Sequence, residues 1–347
     1  MSFAIGPYRL NSRVLLAPMA GVTDPPFRSL CHRFGAALCG AEMLTADQGL
    51  WHSAKSRRRM DHRIESGIRT VQLAGSDPAQ LAEAARLNVG LGAQIVDINL
   101  GCPAKKVCDR LCGSALLSDE PLVGRIFDAV VAAVDVPVTA KIRTGADIAS
   151  RNALRIARLA ESSGIAAVAI HGRTRADRFA GQAEYDTIRN VKRHVHIPVI
   201  ANGDITTPAQ ARAVLEHTGA DAVMIGRGAQ GAPWIFEAVN EFIAGGKEML
   251  PGEELMAAEK KSAASPLQDA FAPIILSHLE SLYDFYGEHV GIRMARKHLG
   301  WYCQRLSLPP PARPQLMAAQ DSSTQFAIAE HWFGTAHRDA IDDQTGD

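Results

Sequence analysis

Cys102 is the residue of this sequence with the clearest opportunity for chemistry. It follows Asn99-Leu100-Gly101 and precedes Pro103, so the thiol is expected on a sharp turn outside any helix interior. A thiol with an ordinary pKa of about 8.5 is mostly protonated at pH 7, and it can serve as a proton donor or as a nucleophile. A buried, inert cysteine is the alternative. The position of Cys102 after a predicted strand favours a reactive role.

Lys141 is the second candidate, because it lies inside the apolar segment Val138-Thr139-Ala140-Lys141-Ile142-Arg143. A buried lysine needs a specific reason. Three are open: a Schiff base with a carbonyl substrate, a salt bridge to a structural acid, or a positive charge beside a cofactor ring that becomes anionic. The Schiff base needs no cysteine and leaves Gln72 unexplained, whereas the cofactor ring uses both residues.

Polar residues and glycines follow the ends of most predicted strands. In barrels of parallel strands the active site lies at these carboxyl ends. The residues that we single out there are Pro18, Met19, Ala20, Gln72, Asn99, Lys141, Arg143, His171, Arg173, Asn202, Gly203, Asp204, Gly226 and Arg227. The last five follow the seventh and eighth strands, where backbone amides and a guanidinium commonly hold a phosphate. Ordinary strand-to-helix turns are the alternative for either segment alone.

Short runs rich in Val and Ile alternate with Ala- and Leu-rich stretches of helical spacing, which indicates parallel strands joined by helices. The strands are predicted at Val14–Ala17, Ala37–Ala41, Thr70–Ala74, Ile95–Asn99, Pro137–Arg143, Ala167–His171, Pro198–Asn202 and Ala222–Ile225. The clearest helices are predicted at Pro78–Asn88, Leu122–Val134, Arg151–Ser162 and Pro208–Thr218, with Asp77 and Thr207 as caps. An open doubly wound sheet would require GxGxxG after the first strand, and that motif is missing there. The sequence therefore predicts the α/β class, a (β/α)8 TIM barrel followed by a small C-terminal helical domain.

The predicted domain limits follow from composition. Residues 1–244 are expected to form the barrel, 245–265 a connector, 266–335 a helical domain and 336–347 a disordered tail. Within the helical domain one apolar stripe is predicted, formed by Ile275, Leu279, Leu282 and Phe285 or Tyr286. The proline-rich segment 309–314 is predicted to be a stiff break before a last helix at 323–332.

Charge and cysteine usage narrow the class of protein. The 347 residues include 37 basic and 37 acidic side chains, so the formal net charge is zero. The positive side chains nevertheless cluster after Trp51 (Lys55, Arg57, Arg58, Arg59, Arg63) and beside Trp301 and Tyr302 (Arg293, Arg296, Lys297, Arg305). The six cysteines show no metal-binding spacing, and neither a signal peptide nor a membrane span is evident. We expect free thiols, no metal, no membrane association, a cytoplasmic location and a monomer.

Five motifs occur in order and together resemble one family. They are Ala17-Pro18-Met19-Ala20-Gly21-Val22-Thr23-Asp24, Asp97-Ile98-Asn99-Leu100-Gly101-Cys102-Pro103, Lys141-Ile142-Arg143-Thr144-Gly145, His171-Gly172-Arg173-Thr174-Arg175 and Asn202-Gly203-Asp204-Ile205. This set resembles the tRNA-dihydrouridine synthases from about residue 5 to 305. The segment Cys102-Pro103-Ala104-Lys105-Lys106-Val107, with Ala295-Arg296-Lys297-His298, looks most like the B-type bacterial branch.

The resemblance implies an FMN-dependent oxidoreductase that takes hydride from NADPH (or NADH) and reduces a tRNA uridine. It implies that Pro18, Met19, Ala20, Gln72, Lys141, His171, Asn202, Gly203, Asp204, Gly226 and Arg227 bind FMN. Hydride would pass from flavin N5 to uracil C6, and Cys102 would protonate C5. Asn99 would help to hold the base, and a D-loop uridine at position 17 is the favoured substrate.

Contacts to tRNA are hypotheses from composition. Arg143, Arg173, Arg293, Arg296 and Lys297 are the candidate substrate-binding residues, and Arg57–Arg59 could also contact phosphates. Trp51, Trp301 or Tyr302 could stack on a base that has left its helical stack. Two alternatives stay open: an FMN-dependent barrel reductase of a small pyrimidine or enone, and a non-catalytic tRNA-binding barrel.

Overall fold

The computed structural model describes residues 3–62, 65–108, 111–246 and 266–334. The predicted connector from residue 247 onward, the predicted tail and Arg63 lie outside these ranges. The chain divides into two compact units, Met1–Gly228 with Val239–Gly246, and Ala229–Ala238 with Lys247–Asp347. The predicted limits of the domains stay a prediction.

The described residues of the first unit form ten strands. They are β1 (Phe3–Ile5), β2 (Tyr8–Leu10), β3 (Val14–Leu16), β4 (Met43–Thr45), β5 (Thr70–Ala74), β6 (Ile95–Leu100), β7 (Val138–Arg143), β8 (Ala167–His171), β9 (Val199–Asn202) and β10 (Ala222–Ile225). The strands β3 to β10 form one parallel sheet, in which β10 lies beside β3 and β9 and the other strands follow in sequence order down to β4. A parallel bridge between Leu16 and Cys39 brings the two edges together. The predicted TIM barrel is therefore confirmed.

The helices follow the strands around the barrel. They are α1 (Pro25–Arg33), α2 (Ala54–Arg59), α3 (Pro78–Gly90), α4 (Lys105–Cys108), α5 (Glu120–Val131), α6 (Ala153–Ser162), α7 (Asp186–Lys192), α8 (Pro208–Thr218) and α9 (Ile235–Ile243). The predicted caps are confirmed, because Asp77 accepts from the N–H of Gln80 and Thr207 forms a capping box with Gln210. Each cap starts its helix directly beyond a strand end.

The second barrel strand differs from the prediction. The predicted segment Ala37–Ala41 hydrogen-bonds to β3, through Ala37 N–H to Val14 O and Gly40 N–H to Leu16 O. Regular pairing with the other neighbour, β5, starts only at Met43, in β4. The predicted bounds were therefore wrong, because the second barrel strand consists of two successive segments, one bonded to β3 and the other to β5. A β-carbon on Gly40 would lie 2.6 Å from Cδ of Pro18, so this position needs glycine.

A hairpin that the sequence analysis did not predict fills the amino-terminal end of the barrel. Ile5 of β1 and Leu10 of β2 are buried in one cluster with Leu15, Ala169 and Ile200 from the barrel strands. Apolar side chains therefore close this end. The polar strand ends lie at the other end.

The second unit is helical, as predicted. Its described helices are α10 (Pro266–Tyr286), α11 (Glu288–Arg305), α12 (Ala312–Ala318) and α13 (Ser322–Phe333). In the predicted stripe Ile275, Leu279 and Leu282 are fully buried, whereas Phe285 and Tyr286 are half-buried. The prediction of a break throughout 309–314 was wrong, since α12 starts at Ala312 and Pro314 lies in its first turn, where a missing N–H costs no helical hydrogen bond.

Among the described helices, none is both long and apolar enough to cross a membrane. No group of His, Cys, Asp or Glu side chains in the described ranges is arranged to hold a metal ion. All six cysteines are free thiols.

Candidate active site

The predicted site residues of the barrel converge at the carboxyl ends of adjacent strands. The strand register sets Asn99 of β6 beside Lys141 of β7, and His171 of β8 beside Asn202 of β9. Side chains alternate along a strand, so the polar residues at every second position face the barrel interior together. Gln72 is 3 % exposed and Asn99 is 6 % exposed, which means that these amides are held inside the mouth.

Asn99 holds the Cys102 turn. Its side-chain oxygen accepts the backbone N–H of Gly101 at 3.1 Å and of Cys102 at 3.0 Å. On the other side, the carbonyl of Cys102 accepts from the N–H of Ser114 at 3.1 Å and from its hydroxyl at 2.9 Å. Gly113 has φ +62°, and a β-carbon there would lie 2.7 Å from that carbonyl. The turn is thus fixed from both sides.

The thiol of Cys102 is half-buried, and burial raises its pKa above the usual value. It is therefore protonated at neutral pH. A protonated thiol suits a proton donor, whereas a nucleophile or a metal ligand would be a thiolate.

Asp97 is a site residue that the sequence analysis did not select. Its half-buried carboxylate accepts from Gln72 Nε2 at 2.7 Å and from Thr139 Oγ1 at 2.7 Å. Gln72 in turn accepts from Asn99 Nδ2 at 2.8 Å. The available signal was periodicity, because Asp97 lies two residues before Asn99 and so shares its face of β6.

Lys141 donates from Nζ to the side-chain oxygen of Asn202 at 3.0 Å, and Asn202 donates from Nδ2 to the carbonyl of Met224 at 2.7 Å. Burial and the nearby charge of Arg143 lower the pKa of Lys141 to about 8, so the ammonium form still dominates at pH 7. In the described part of the chain this nitrogen bonds to the amide of Asn202 and forms no salt bridge, although the charge of Asp97 is near enough to oppose the lowering of its pKa. The interpretation of Lys141 as the partner of a structural acid is therefore wrong.

His171 at the end of β8 and Arg173 in the loop after it also belong to the site. Burial and the surrounding cations lower the pKa of His171 to about 2, so the imidazole is neutral. Arg173, 2 % exposed, donates to both carboxylate oxygens of Asp204 at 2.8 and 2.7 Å and to the carbonyls of Ala180 and Gly181. Burial opposes ionisation of Asp204, yet the hydrogen bonds from Arg173 hold the pKa of that carboxyl below its usual range.

The turns after β9 and β10 form a cradle for an anion. Gly203 has φ +138° and Asp204 has φ +42°, which turns successive backbone N–H groups outward. The backbone N–H groups of Gly203, Asp204 and Arg227 donate to no acceptor within the described ranges of the protein. The guanidinium of Arg227 is half-exposed and lies 3.4 Å from Asp204 Oδ1. These groups fit a phosphate, with Arg227 supplying positive charge.

The loop after β3 lies beside this cradle. Its carbonyl at Met19 accepts from the N–H groups of Val22 and Thr23, both at 3.0 Å, which closes a tight turn after Pro18. A β-carbon on Gly226 would lie 3.7 Å from the sulfur of Met19, so the two strand ends are in contact range.

A second carboxylate that the sequence analysis missed anchors this loop. Glu42 accepts from the N–H of Gly21 and from Nη2 of Arg59 at 2.8 Å. Arg59 also donates to the carbonyl of Met43, so its charge is used inside the protein and the hypothesis of a phosphate contact fits it poorly. Lys55 and Arg57 on the same helix α2 are exposed.

Arg143 supports the Cys102 turn from within the barrel wall. It donates from Nε to the carbonyl of Gly101 at 2.8 Å and from Nη1 to the carbonyls of Thr174 and Arg178, both at 2.8 Å. Only 1 % of the residue is exposed. Arg143 and Arg173 therefore act first as structural donors, and direct contact of either with a substrate stays a prediction.

The other candidate contacts lie on α11 of the helical unit. Arg293 is exposed and Lys297 is half-buried, whereas Arg296 donates from Nη2 to the carbonyl of Ala319 at 2.9 Å. Tyr302 is fully buried and accordingly cannot stack on a base, so that hypothesis was wrong; Trp301 is half-buried. Trp51, in the barrel unit, is half-buried and donates to the carbonyl of Thr45 at 2.7 Å.

Comparison with known proteins decides the family. The sequence profile described as Dihydrouridine synthase (Dus) matches residues 15–336. The chain belongs to the dihydrouridine synthase family. It is 54% identical over 329 residues to the tRNA-dihydrouridine synthase B of Pseudomonas aeruginosa, covering 95% of each chain. It is 53% identical over 329 residues to the tRNA-dihydrouridine synthase B of Escherichia coli K12, covering 95% of this chain and 98% of that one.

Solved structures of more distant proteins share the barrel. The old yellow enzyme homologue from Zymomonas mobilis is similar with a TM-score of 0.51 at 15% identity, over 72% of this chain and 93% of that one. Morphinone reductase in complex with tetrahydroNAD is similar with a TM-score of 0.51 at 15% identity, over 72% of this chain and 91% of that one. At this identity the likeness shows the fold of this dihydrouridine synthase family member.

Proposed function

We propose that this protein is a tRNA-dihydrouridine synthase that uses FMN and NADPH or NADH to reduce the C5–C6 double bond of a uridine in the tRNA D-loop. One observation carries the proposal. The protonated thiol of Cys102 lies on a turn that Asn99 holds at the end of β6, and the neighbouring strand β7 carries the cationic side chain of Lys141. Membership of the dihydrouridine synthase family and the names of the relatives support this substrate.

The residues present fit FMN. Gly203, Asp204, Gly226 and Arg227 supply backbone N–H groups and a guanidinium for its phosphate. Gln72 and Lys141 supply an amide and a positive charge for its ring, while Pro18, Met19 and Ala20 line the neighbouring loop. The positive charge of Lys141 stabilises a ring that becomes anionic on reduction. Bound reduced FMN supplies the hydride for the base.

His171 is a neutral member of the cofactor site. Because burial and four cations disfavour its protonation, it adds hydrogen-bonding capacity without a further charge. The cluster of Lys141, Arg143 and Arg173 therefore provides the positive potential of the mouth.

Cys102 supplies the proton. Burial keeps its sulfur protonated, and the turn fixed by Asn99, Arg143 and Ser114 defines where the proton is delivered. Asn99 would also hold the uracil base, which must leave its stack to reach the strand ends.

The tRNA-binding role falls to basic side chains on two elements. Lys55 and Arg57 on α2 and Arg293 on α11 are exposed, and Lys297 on α11 is half-buried; all four carry charges suited to phosphates. We propose that the helical domain binds tRNA and that the modified uridine is at position 17. We also propose that the enzyme acts in the cytoplasm as a monomer.

The deciding experiment combines purified protein, FMN, NADPH and unmodified tRNA transcript, and measures dihydrouridine by mass spectrometry of digested tRNA. We expect one new dihydrouridine in the D-loop, with Cys102→Ala as the inactive control. Equal reduction of free uracil or orotate would indicate a reductase of small pyrimidines. A colourless protein that binds tRNA without product would indicate the non-catalytic alternative.

A further inference from the structure

A chain of hydrogen bonds with one direction runs from inside the barrel to the Cys102 turn. The N–H of Cys102 donates to Asn99 Oδ1 at 3.0 Å, and Asn99 Nδ2 donates to Gln72 Oε1 at 2.8 Å. Gln72 Nε2 donates to Asp97 Oδ2 at 2.7 Å. We call the side chains of Asp97, Gln72 and Asn99 the amide relay. Each donor in it points toward Asp97.

The two amides of the relay do not set this direction themselves. A side-chain amide has a donor end and an acceptor end of nearly equal size, so its orientation depends on its partners. At the outer end, the backbone N–H of Cys102 requires an acceptor. At the inner end both carboxylate oxygens of Asp97 accept, one from Gln72 Nε2 and the other from the hydroxyl of Thr139, each at 2.7 Å. Burial raises the pKa of Asp97, whereas these two hydrogen bonds favour its ionised form. A reversed relay would face donors with donors at Cys102.

We propose that Asp97 is a positioning residue, which fixes the amide direction of Gln72 and Asn99 and so holds the Cys102 turn for proton delivery. The contribution to proton delivery rests on the proposed function. The direction of the relay stands on the hydrogen bonds alone. Both carboxylate oxygens of Asp97 are taken up by Gln72 and Thr139, so we assign it an action through the relay.

The test exchanges the acids and amides at the two ends. Asn99→Asp keeps oxygen acceptors for the turn but places a carboxylate at each end of Gln72, whose single carbonyl then faces an acceptor. We expect its melting temperature to fall by about 5 °C. Adding Asp97→Asn supplies a donor at the inner end, so Gln72 can reverse and the relay is complete again. The double variant should regain most of the lost melting temperature.

The control removes the link between the two ends. Residues 97 and 99 interact through Gln72, so the recovery should vanish when the same variants are made in a Gln72→Leu background. Direct repulsion between two carboxylates would survive that change. A recovery of the same size with Leu at position 72, or strictly additive effects with Gln72 present, would overturn the proposal.

The second readout follows the Cys102 turn. We would measure the rate at which iodoacetamide alkylates Cys102, by peptide mass spectrometry, in Asn99→Asp and in the double variant. Both carry the same carboxylate at position 99, so a difference between them reports the turn. We expect the rate to change at least threefold on Asn99→Asp and to return toward its unsubstituted value in the double variant. Equal rates in the two variants would contradict the link to Cys102.

Neither readout needs tRNA or turnover, so the two proposals can fail separately. If wild-type protein forms no dihydrouridine while the melting and alkylation data show the coupling, the proposed function fails and the relay stands. If dihydrouridine forms and the coupling is missing, the relay fails alone.

Discussion

The ammonium nitrogen of Lys141 lies 3.0 Å from the side-chain oxygen of Asn202, and Asn202 is held in turn by the carbonyl of Met224. Residues of three strands, β7, β9 and β10, therefore hold one half-buried positive charge at the mouth of the barrel. Because Lys141 has no carboxylate partner within the described ranges, its charge is available to an anionic ring.

Replacing Lys141 tests this availability. We expect Lys141→Met to weaken FMN binding about tenfold or more, because it removes the positive charge that we place beside the flavin ring. Titration of apoprotein with FMN, followed by fluorescence quenching, measures the change. Unaltered affinity would exclude Lys141 from the flavin site.

The pH dependence of that affinity follows from the lowered pKa. Since the pKa of Lys141 is about 8 in the free protein, the ammonium form is lost as pH rises through that value. FMN affinity of the unsubstituted protein should therefore fall above pH 8, whereas Lys141→Met should bind FMN with little change from pH 6.5 to 9. Parallel decline in both proteins would point to a different group.

Cys102→Ala should lower dihydrouridine formation by about 10²- to 10⁴-fold, the usual contribution of a positioned proton donor. The flavin absorbance and tRNA affinity should stay unchanged, because the sulfur takes part in neither proposed contact. Single-turnover assays with pre-reduced protein isolate this step. Normal turnover would remove Cys102 from the role.

Arg143→Lys keeps a positive charge but cannot reach three carbonyls in two segments. We expect turnover to fall about 10- to 100-fold, as for a small displacement of a catalytic group, with FMN content preserved. Arg125→Ala on α5, where the side chain is exposed, is the matched control. Equal effects of the two variants would contradict the support of the Cys102 turn by Arg143.

The pair of Arg173 and Asp204 should make stability depend on pH. The pKa of Asp204 is depressed in the folded protein, so its contribution is present above the pKa of the unfolded chain and is lost as pH falls through the folded value. Asp204→Asn should accordingly lower the melting temperature at pH 7 and have less effect near pH 3. A constant difference across that range would exclude the ion pair as the cause.

Arg293→Ala tests the helical unit. If this exposed arginine of α11 contacts a phosphate, the variant should raise KM for tRNA with little change in kcat and reduce the salt slope of binding by about one. Arg86→Ala on α3 provides a control at another exposed arginine. A KM equal to that of the control would remove Arg293 from the interface.

Local pattern in the sequence predicted much of the barrel. Strands such as Thr70–Ala74 and Ala167–His171 match their predicted bounds, because a buried parallel strand is a continuous apolar run that stops at a polar residue. The divided second strand was misplaced, since its two segments differ only in which neighbour they bond. No local pattern encodes that choice.

The sequence predicted which residues form the site, but it did not predict the hydrogen bonds between their side chains. Asp97 and Glu42 went unselected because their roles come from Gln72, Thr139 and Arg59, which are distant in sequence. Arg173 was selected for a substrate contact, although a partner 31 positions away occupies its guanidinium. The positions of strand ends in the sequence predict which residues come together. The hydrogen bonds that their side chains form depend on how the strands, helices and loops pack.

The hairpin β1–β2 has a kinetic consequence. Because Ile5 and Leu10 close the amino-terminal end of the barrel, we expect each reactant to enter at the carboxyl ends of the strands. We therefore expect the nicotinamide donor to leave before RNA occupies the same opening. Steady-state rates measured against both substrates should then give parallel double-reciprocal lines, and high concentrations of either substrate should obstruct the other.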